Sequence, residues 1–511
     1  MATFRVDEEY WSMNASGTEL VWLGEKEYRF SDRRAIYRQV RRELAQFDAA
    51  HPEHLSNAIS TLKRLHFYGN KVDHERSWLL GELYLRLGRA IPALVYLTEA
   101  AAHGHKPDAQ WSEAIANAQR MLLELPSRES YRVRVREVWA RMLEKEATWQ
   151  RALVAGHVEE VAEALTALLQ TAMPGMAIIL TPTSEGATVY LRAAVNPLRF
   201  FALRYFLERM PESLKAHWHF VAGFPPRPTL TVKRQAASQS IVLKTARVEL
   251  LSVEEGRFRV IVGGPKLTYR EQWELAFINA TLRELVIAAL GELDFIQYVA
   301  RIDLLMSSTQ PSTLRLVNLG REFEKRGFPP VTSPEQWMED QEYGTVKVDT
   351  HPDTEWRKGP LEGWTESYDL LGQYWYEHPM MLEDLEADGI RAGFFVIPCE
   401  HLSEDVAVAT IDALAEHLLE TCGQDTLRLM GAALGKRYAM LDCLCWDQEA
   451  TIKEATAFAK AHSLEELHYQ SFVKACSALR LWPVSDATSS TDDFFEDKIN
   501  SEGMVGPVGR A

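Results

Sequence analysis

The sequence predicts a multidomain α+β protein, with an N-terminal α-helical repeat-like region followed by two mostly antiparallel sheet domains with helices on one face. Three observations lead to this fold class. A chain of 511 residues allows about two to four domains of roughly 100–200 residues. Apolar residues recur every three or four positions from Ser31 to about Gln170, which is the helical period. Beyond Pro174 the apolar period shortens to two and alternates with helical stretches, as in sheet domains.

Changes in period and composition divide the chain into five predicted segments. They are an N-terminal extension at 1–30, a helical repeat-like domain at 31–172, a first α+β domain at 173–310, a second α+β domain at 311–482 and a disordered acidic tail at 483–511. The tail is polar, acidic and poor in apolar residues, which is typical of disorder. Within the extension, "ASGTELVWLGEKEYRF" predicts a short hairpin.

The charge is distributed unevenly and excludes some classes of partner. The net charge is -16, while residues 1–310 contain 39 basic and 36 acidic side chains. The negative excess therefore lies in the last two fifths of the chain. Such a surface repels phosphate, so we expect no nucleic-acid partner. No apolar run reaches the roughly 18–20 residues of a membrane span, so we expect no membrane partner.

The termini and the cysteines indicate a cellular location. The opening "MATFRVDEEYW" has no basic segment followed by an apolar stretch, so a secretory signal is not expected. The chain has five cysteines, and none precedes Cys399. An odd number gathered in one region is not typical of a disulfide framework. The sequence therefore predicts a protein of the reducing cytoplasm.

The helical region contains a motif with small residues at fixed spacing. Leu80, Gly81, Tyr84, Ala93 and Ala100 follow the pattern Leu-Gly-x2-Tyr-x8-Ala-x6-Ala. The small residues allow two antiparallel helices to approach closely, and the tyrosine fills the space beside them. This stretch resembles a tetratricopeptide repeat, and its end resembles the related Sel1-type repeat, near residues 74–107. The resemblance implies a helical array that presents a groove to partners; an ordinary helical bundle is the alternative.

The first α+β domain reads as two successive strand-strand-helix-strand groups. Hairpin turns are expected at "TSEG" and "EEG", a helix should begin at Pro197, and "LDFIQYVARIDLL" should be a strand. In the second domain, "AGFFVIPCE" predicts a buried strand, "EDVAVATIDALAEHLLETCG" a helix with an acidic start, and "ALGK" the turn of a hairpin. Residues 246–304 and 426–474 share the order hairpin, helix, strand, which suggests two related sheet domains.

Two histidines are candidate metal ligands. His217 and His219 would lie on one face of a strand, but a catalytic metal needs a third ligand. No Ser, Cys or His nucleophile motif and no cofactor-binding motif is present in the sequence. We therefore expect no cofactor and assign no catalytic residue.

The candidate interface is a stretch in which aromatic rings alternate with carboxylates. Exposed Trp and Tyr anchor protein interfaces, and carboxylates steer a basic partner. The alternative is that these rings pack the core of the second sheet domain. The predicted interface residues are Trp337, Glu339, Asp340, Tyr343, Trp356, Glu362, Trp364, Tyr374 and Tyr376.

The phrase "LRLMGAALGKRYAMLDCLCWD" gives the C-terminal half a resemblance to uncharacterised bacterial α+β proteins. Some of these are similar to proteins coded beside secreted antibacterial toxins. The resemblance implies an immunity or adaptor role, and the acidic half favours a basic protein partner. Two alternatives remain: a hydrolase or transferase with a site between the sheets near His217, His219 and the Asp349–Glu355 loop, and an oligomeric structural scaffold. The oligomeric state is not predicted.

Overall fold

The structure has the mixed α+β architecture that the sequence predicts, with a run of N-terminal helices preceding the sheets of the later regions. The computed structural model describes residues 12–13, 19–23, 26–29, 31–47, 53–65, 73–227, 231–234, 239–242, 246–254, 256–264, 272–305, 314–339, 344–348, 356–357, 361–375 and 379–483. Within these residues, every helix is too short or too polar to cross a bilayer. The predicted tail, from 484 on, lies outside the described residues.

In the described residues of the N-terminal part, a small sheet is followed by seven α-helices. The predicted hairpin is present as β2 and β3, which pair in an antiparallel manner. The elements are β1 (Ser12–Met13), β2 (Glu19–Leu23), β3 (Lys26–Arg29), α1 (Arg33–Ala45), α2 (Glu53–Leu65), α3 (His74–Arg86), α4 (Ala90–Ala102), α5 (Ala109–Leu123), α6 (Tyr131–Val154) and α7 (Val158–Leu169). In α1 the apolar stripe is buried because its members recur at helical spacing.

Helices α3 and α4 pack closely at the small residues of the motif. A Cβ atom added to Gly81 would lie 2.6 Å from Cγ of Leu97. Ala93 and Ala100 are fully buried, and the ring of Tyr84 stacks on Tyr96 with centroids 5.8 Å apart. The two helices approach closely because Gly81, Ala93 and Ala100 are small, as the motif predicts. Membership in a repeat family stays a prediction.

The first strand-strand-helix-strand unit spans residues 178–222. It comprises β4 (Ile178–Pro182), β5 (Ala187–Leu191), α8 (Pro197–Glu208) and β6 (Trp218–Ala222). β5 is antiparallel to β4 and parallel to β6. The predicted turn is closed by a hydrogen bond from the Thr183 amide to the Gly186 carbonyl, 2.9 Å long. Pro197 begins the helix, and the Asn196 side chain caps it by accepting from the Leu198 amide.

The second unit spans residues 247–304 and repeats this topology. A separate hairpin precedes it and consists of β7 (Thr231–Arg234) and β8 (Gln239–Val242). The unit itself comprises β9 (Arg247–Glu254), β10 (Arg257–Gly263), α9 (Gln272–Leu290), α10 (Glu292–Tyr298) and β11 (Val299–Leu304). β10 is antiparallel to β9 and parallel to β11. The strand expected from "LDFIQYVARIDLL" is wrong in its first half, because α10 occupies it and β11 begins only at Val299.

The C-terminal part is built on a seven-stranded sheet. The strand order is β12-β13-β15-β16-β14-β17-β18, and neighbours pair in an antiparallel manner. The elements are α11 (Leu319–Lys325), α12 (Pro334–Glu339), β12 (Gly344–Val348), β13 (Leu361–Thr365), α13 (Tyr368–Trp375), α14 (Met380–Asp388), β14 (Arg391–Pro398), α15 (Glu404–Thr421), β15 (Leu427–Gly435), β16 (Tyr438–Cys445), α16 (Gln448–Ala461), β17 (Leu467–Ser471) and β18 (Leu479–Trp482).

The suggested relation between 246–304 and 426–474 is wrong at the level of topology. In the first segment the last strand, β11, lies parallel beside β10. In the second, β14 intervenes, and β17 pairs antiparallel with β14. The order of elements along the chain was the same, but strand order in a sheet depends on long-range pairing. The matching pair of units is instead 178–222 and 247–304.

Buried side chains form two separate cores. The larger core joins the N-terminal helices, the first unit and the C-terminal sheet. The smaller core lies within residues 246–323 and also includes Val195. The first unit therefore shares its core with regions on both sides of it, whereas the second unit has its own. The domain boundaries at 172/173 and 310/311 stay predictions.

Buried carboxylates connect these regions through main-chain hydrogen bonds. Glu386 of α14 accepts from the amides of Ala90 and Ile91, at 2.5 and 3.1 Å, at the start of α4. Glu292 of α10 accepts from three amides of the first unit and the loop after it: Ala193, Val195 and Phe224, at 2.9, 3.3 and 2.9 Å. Each carboxylate satisfies N–H groups that burial would otherwise leave without an acceptor.

Candidate protein-binding interface

Helix α15 forms on the stretch for which the sequence predicts a helix with an acidic start. Ala407, Ile411, Leu414 and Leu418 are spaced by three or four residues and are buried. Glu404 and Asp405 lie in the first turn, where negative charge favours the helix dipole. The helix ends where Gly423 adopts a positive φ of 65°, a conformation that suits glycine. One side of α15 thus packs on the protein, and the other faces solvent.

The solvent side of α15 carries both carboxylates and aliphatic side chains. Exposed apolar residues are present at Leu402, just before the helix, and within it at Val406, Val408 and Leu419; each is between 41% and 49% exposed. The exposed carboxylates, which we call the acidic face, are Glu404, Asp405, Asp412, Glu416 and Glu420. An amphipathic partner could therefore make ionic and apolar contacts along one helix.

The acidic face has no compensating cation on its own helix. No Lys or Arg occurs from His401 to Cys422, and within the described residues the five carboxylates take part in no ion pair. Elsewhere in this half the pattern differs: Asp425 is 2.6 Å from Arg132, and Glu366 is 2.8 Å from Arg428. The negative potential of α15 is consequently not neutralised by local pairs.

Two of the predicted interface aromatics are core residues. Trp337 is 5% and Tyr374 is 4% exposed. The Trp337 indole donates to Oε1 of Gln297 at 2.9 Å and packs on Phe200, while Tyr374 lies edge-on against Phe394. These two rings therefore do not belong to a free surface. In these short helices, the alternation of aromatic and acidic residues along the sequence does not show which aromatic rings are buried and which are exposed.

The remaining predicted residues have mixed environments. Trp356 is half-buried, with its ring 4.8 Å from that of Tyr438. Trp364 on β13 is 37% exposed, and Glu339 and Glu362 are exposed. Asp340, Tyr343 and Tyr376 lie outside the residues whose side chains are described. The structure thus does not assemble the nine residues into one described surface.

The two histidines are both accessible but are differently placed. His219 is exposed within β6, whereas His217 precedes the strand, and its Nδ1 lies 3.0 Å from Oε1 of Glu146. Within the described part of the chain, no cluster of three or more His, Cys, Asp or Glu side chains is arranged to hold a metal ion. The Asp349–Glu355 loop of the enzymatic alternative lies outside the described residues.

Comparisons with known proteins assign the chain to no family. Protein-family models, curated proteins and solved structures all give no match to the chain. The acidic face is therefore identified from the structure and the sequence alone. Sequence reasoning recognised α15 as an amphipathic helix with an acidic start, but did not select it as the interface. The missed signal was the absence of Lys and Arg between His401 and Cys422.

Proposed function

We propose that this chain is a non-catalytic protein–protein interaction protein that binds a basic protein partner through the acidic face of α15. The observation that carries the proposal is the combination of five carboxylates without ion pairs in the described part of the chain and exposed aliphatic side chains on one helix. Exposed apolar groups supply contact area, and the carboxylates supply steering and orientation. An immunity or adaptor role is the form of this function that the resemblance of the C-terminal half favours.

Charge decides which occupant suits the acidic face. A second copy of the chain would place like charges opposite one another, which is unfavourable. The chain's own C-terminal stretch from 484 on is also acidic and is repelled in the same way. A basic segment of another protein, with apolar side chains on one side, complements both features of the face.

A matched pair of variants tests the proposal. The first variant, Asp405→Asn, Asp412→Asn and Glu416→Gln, removes three charges from the acidic face. The control, Glu137→Gln, Glu144→Gln and Glu163→Gln, removes three exposed charges from α6 and α7. Wild type and both variants are used to purify partners quantitatively at roughly 0.1 M and 0.5 M salt, across which charge screening increases.

We expect one dominant basic partner, bound by wild type and by the control variant. Binding should weaken by about tenfold or more in the α15 variant, and should also weaken at the higher salt, because both changes remove charge complementarity. Equal binding by the two variants, or binding that does not depend on salt, would contradict the proposed interface.

A further inference from the structure

A groove lies between the two cores, away from α15. Its volume is about 610 Å³, which is within the range of roughly 300–1,000 Å³ that small-molecule sites occupy. Its lining comes from the start of α8, from the second unit and from helices α12 to α14. Junctions of this kind are frequent ligand sites, because walls from separate elements meet there.

Most residues that line the groove are apolar or aromatic, and its exposed surface is divided about equally between polar and apolar atoms. The apolar and aromatic residues include Phe295, Phe328 and Met381 together with the ring of Tyr298. The Tyr298 hydroxyl donates to the Pro329 carbonyl at 2.5 Å, which holds the ring against the wall. A second hollow of about 290 Å³ shares Gln297, Tyr298 and Trp337 with the groove. The two hollows thus adjoin and offer length for an extended apolar body.

Two arginines supply positive charge at this apolar surface. Arg257 and Arg283 both line the groove and are exposed. Their Nη2 atoms lie 3.3 Å from the Val299 carbonyl and 3.4 Å from the Ala194 carbonyl. Within the described part of the chain, neither guanidinium has a carboxylate partner at ion-pair distance. Each therefore retains N–H groups that can donate to a ligand.

One carboxylate belongs to the same lining and sets the net charge. Asp369 lies at the start of α13, and partial burial of its carboxyl group raises its pKa, while the nearby Arg257 guanidinium acts in the opposite direction. Two guanidinium groups and one carboxylate leave one net positive charge. A singly charged anion matches that balance, whereas a phosphate dianion exceeds it.

We propose that this groove binds a small amphipathic monoanion, a carboxylate or sulfonate with an extended apolar body, whose charged group is held by Arg257 and Arg283. The apolar body lies along Phe295, Phe328 and Tyr298. This inference is independent of the proposed function, because none of these residues belongs to α15. Loss of the basic partner and loss of the small anion are therefore separate results.

The probe is 8-anilinonaphthalene-1-sulfonate, a fluorescent monoanion with an apolar body, titrated into the full chain. Decanoate should displace it, while decylamine, which has a similar apolar length but a positive charge, should not. Arg257→Gln and Arg283→Gln should each weaken probe binding by about tenfold, because a charge-assisted hydrogen bond is lost. Arg136→Gln, an exposed arginine on α6, is the matched control and should leave binding unchanged.

Three outcomes would overturn the proposal. Unchanged affinity in both groove variants, with circular dichroism showing that they are folded, would exclude the arginines. Equal displacement by decylamine would show that charge plays no part. Binding seen only after removal of residues 484–511 would assign the groove to the chain's own C-terminal stretch, which contains Phe494 and Phe495 among carboxylates.

Discussion

The two strand-strand-helix-strand units have the same topology but contribute to different cores. In each, a hairpin is followed by a helix and then by a strand parallel to the second hairpin strand. Yet α8 of the first unit is buried within the larger core, while the second unit has a core of its own. Topology alone therefore does not determine which parts of a chain fold together.

The difference lies in what covers each helix. The Nε atom of Arg199 in α8 lies 3.3 Å from Asp388 of α14, and both side chains are almost fully buried. Their ion pair fixes the first unit to the C-terminal sheet region. Arg283 in α9 instead remains at the groove between the cores. The two units thus share a topology, but the first is joined to the C-terminal region by an ion pair, whereas the second lies beside a groove large enough for a ligand.

The largest expected effect comes from the residue that joins the two units. Glu292→Ala removes the acceptor of the Ala193, Val195 and Phe224 amides. We expect the free energy of unfolding to fall by about 4 kcal/mol, since buried donors without partners cost roughly 1–3 kcal/mol each. Urea denaturation measures this change. The exposed Glu212→Ala serves as a control and should cost less than about 0.5 kcal/mol; a similar small loss for Glu292→Ala would contradict the junction.

Matched leucine truncations test whether the two cores unfold separately. Leu203 in the larger core and Leu285 in the smaller core are both fully buried. Each change to alanine should cost about 3 kcal/mol, through lost burial and the cavity left behind. Hydrogen exchange should show faster opening of residues 246–323 alone for Leu285→Ala, and of the larger core for Leu203→Ala. Identical exchange patterns would mean that the cores open together.

The hairpin glycines provide a smaller, paired test. A Cβ at Gly186 would lie 1.8 Å from the His217 carbonyl oxygen, whereas at Gly256 its nearest neighbour is 3.8 Å away and the constraint is a φ of 75°. Gly186→Ala should cost about 3 kcal/mol, because the backbone must shift. Gly256→Ala should cost about 1 kcal/mol, from the left-handed conformation alone. Thermal unfolding of both variants shows which loses more stability. A larger loss of stability for Gly256→Ala than for Gly186→Ala would contradict this interpretation.

The smallest expected effect is a pH dependence in the second unit. Burial raises the pKa of Asp294 from 3.8 to about 6. Because the folded pKa lies above the unfolded one, the stabilisation from protonated Asp294 is complete below pH 3.8 and is lost as the pH rises through about 6. The free energy of unfolding should therefore gain about 1 kcal/mol from this group between pH 7 and pH 5. Asp294→Asn should remove this gain in urea titrations, and an unaltered pH profile would refute it.

The features that could be predicted from sequence were those with local causes. Pro197 marked the start of α8, and the glycines at 186 and 256 marked the hairpins. The helix α10 was missed because Gly291, with a φ of 85°, separates it from α9, and because its seven residues are too few to show a clear helical period. The burial of Trp337 and the pairing of β17 depend on distant contacts, which spacing along the chain does not contain.

The bond between Glu386 and the start of α4 has a consequence for biosynthesis. The carboxylate and the Ala90 amide are 296 positions apart in the chain. At about 5–20 residues per second, a ribosome needs roughly 15 to 60 s to extend from one to the other. During that interval the Ala90 and Ile91 amides have only water as an outside hydrogen-bond acceptor, so this junction can form only after Glu386 has been synthesised.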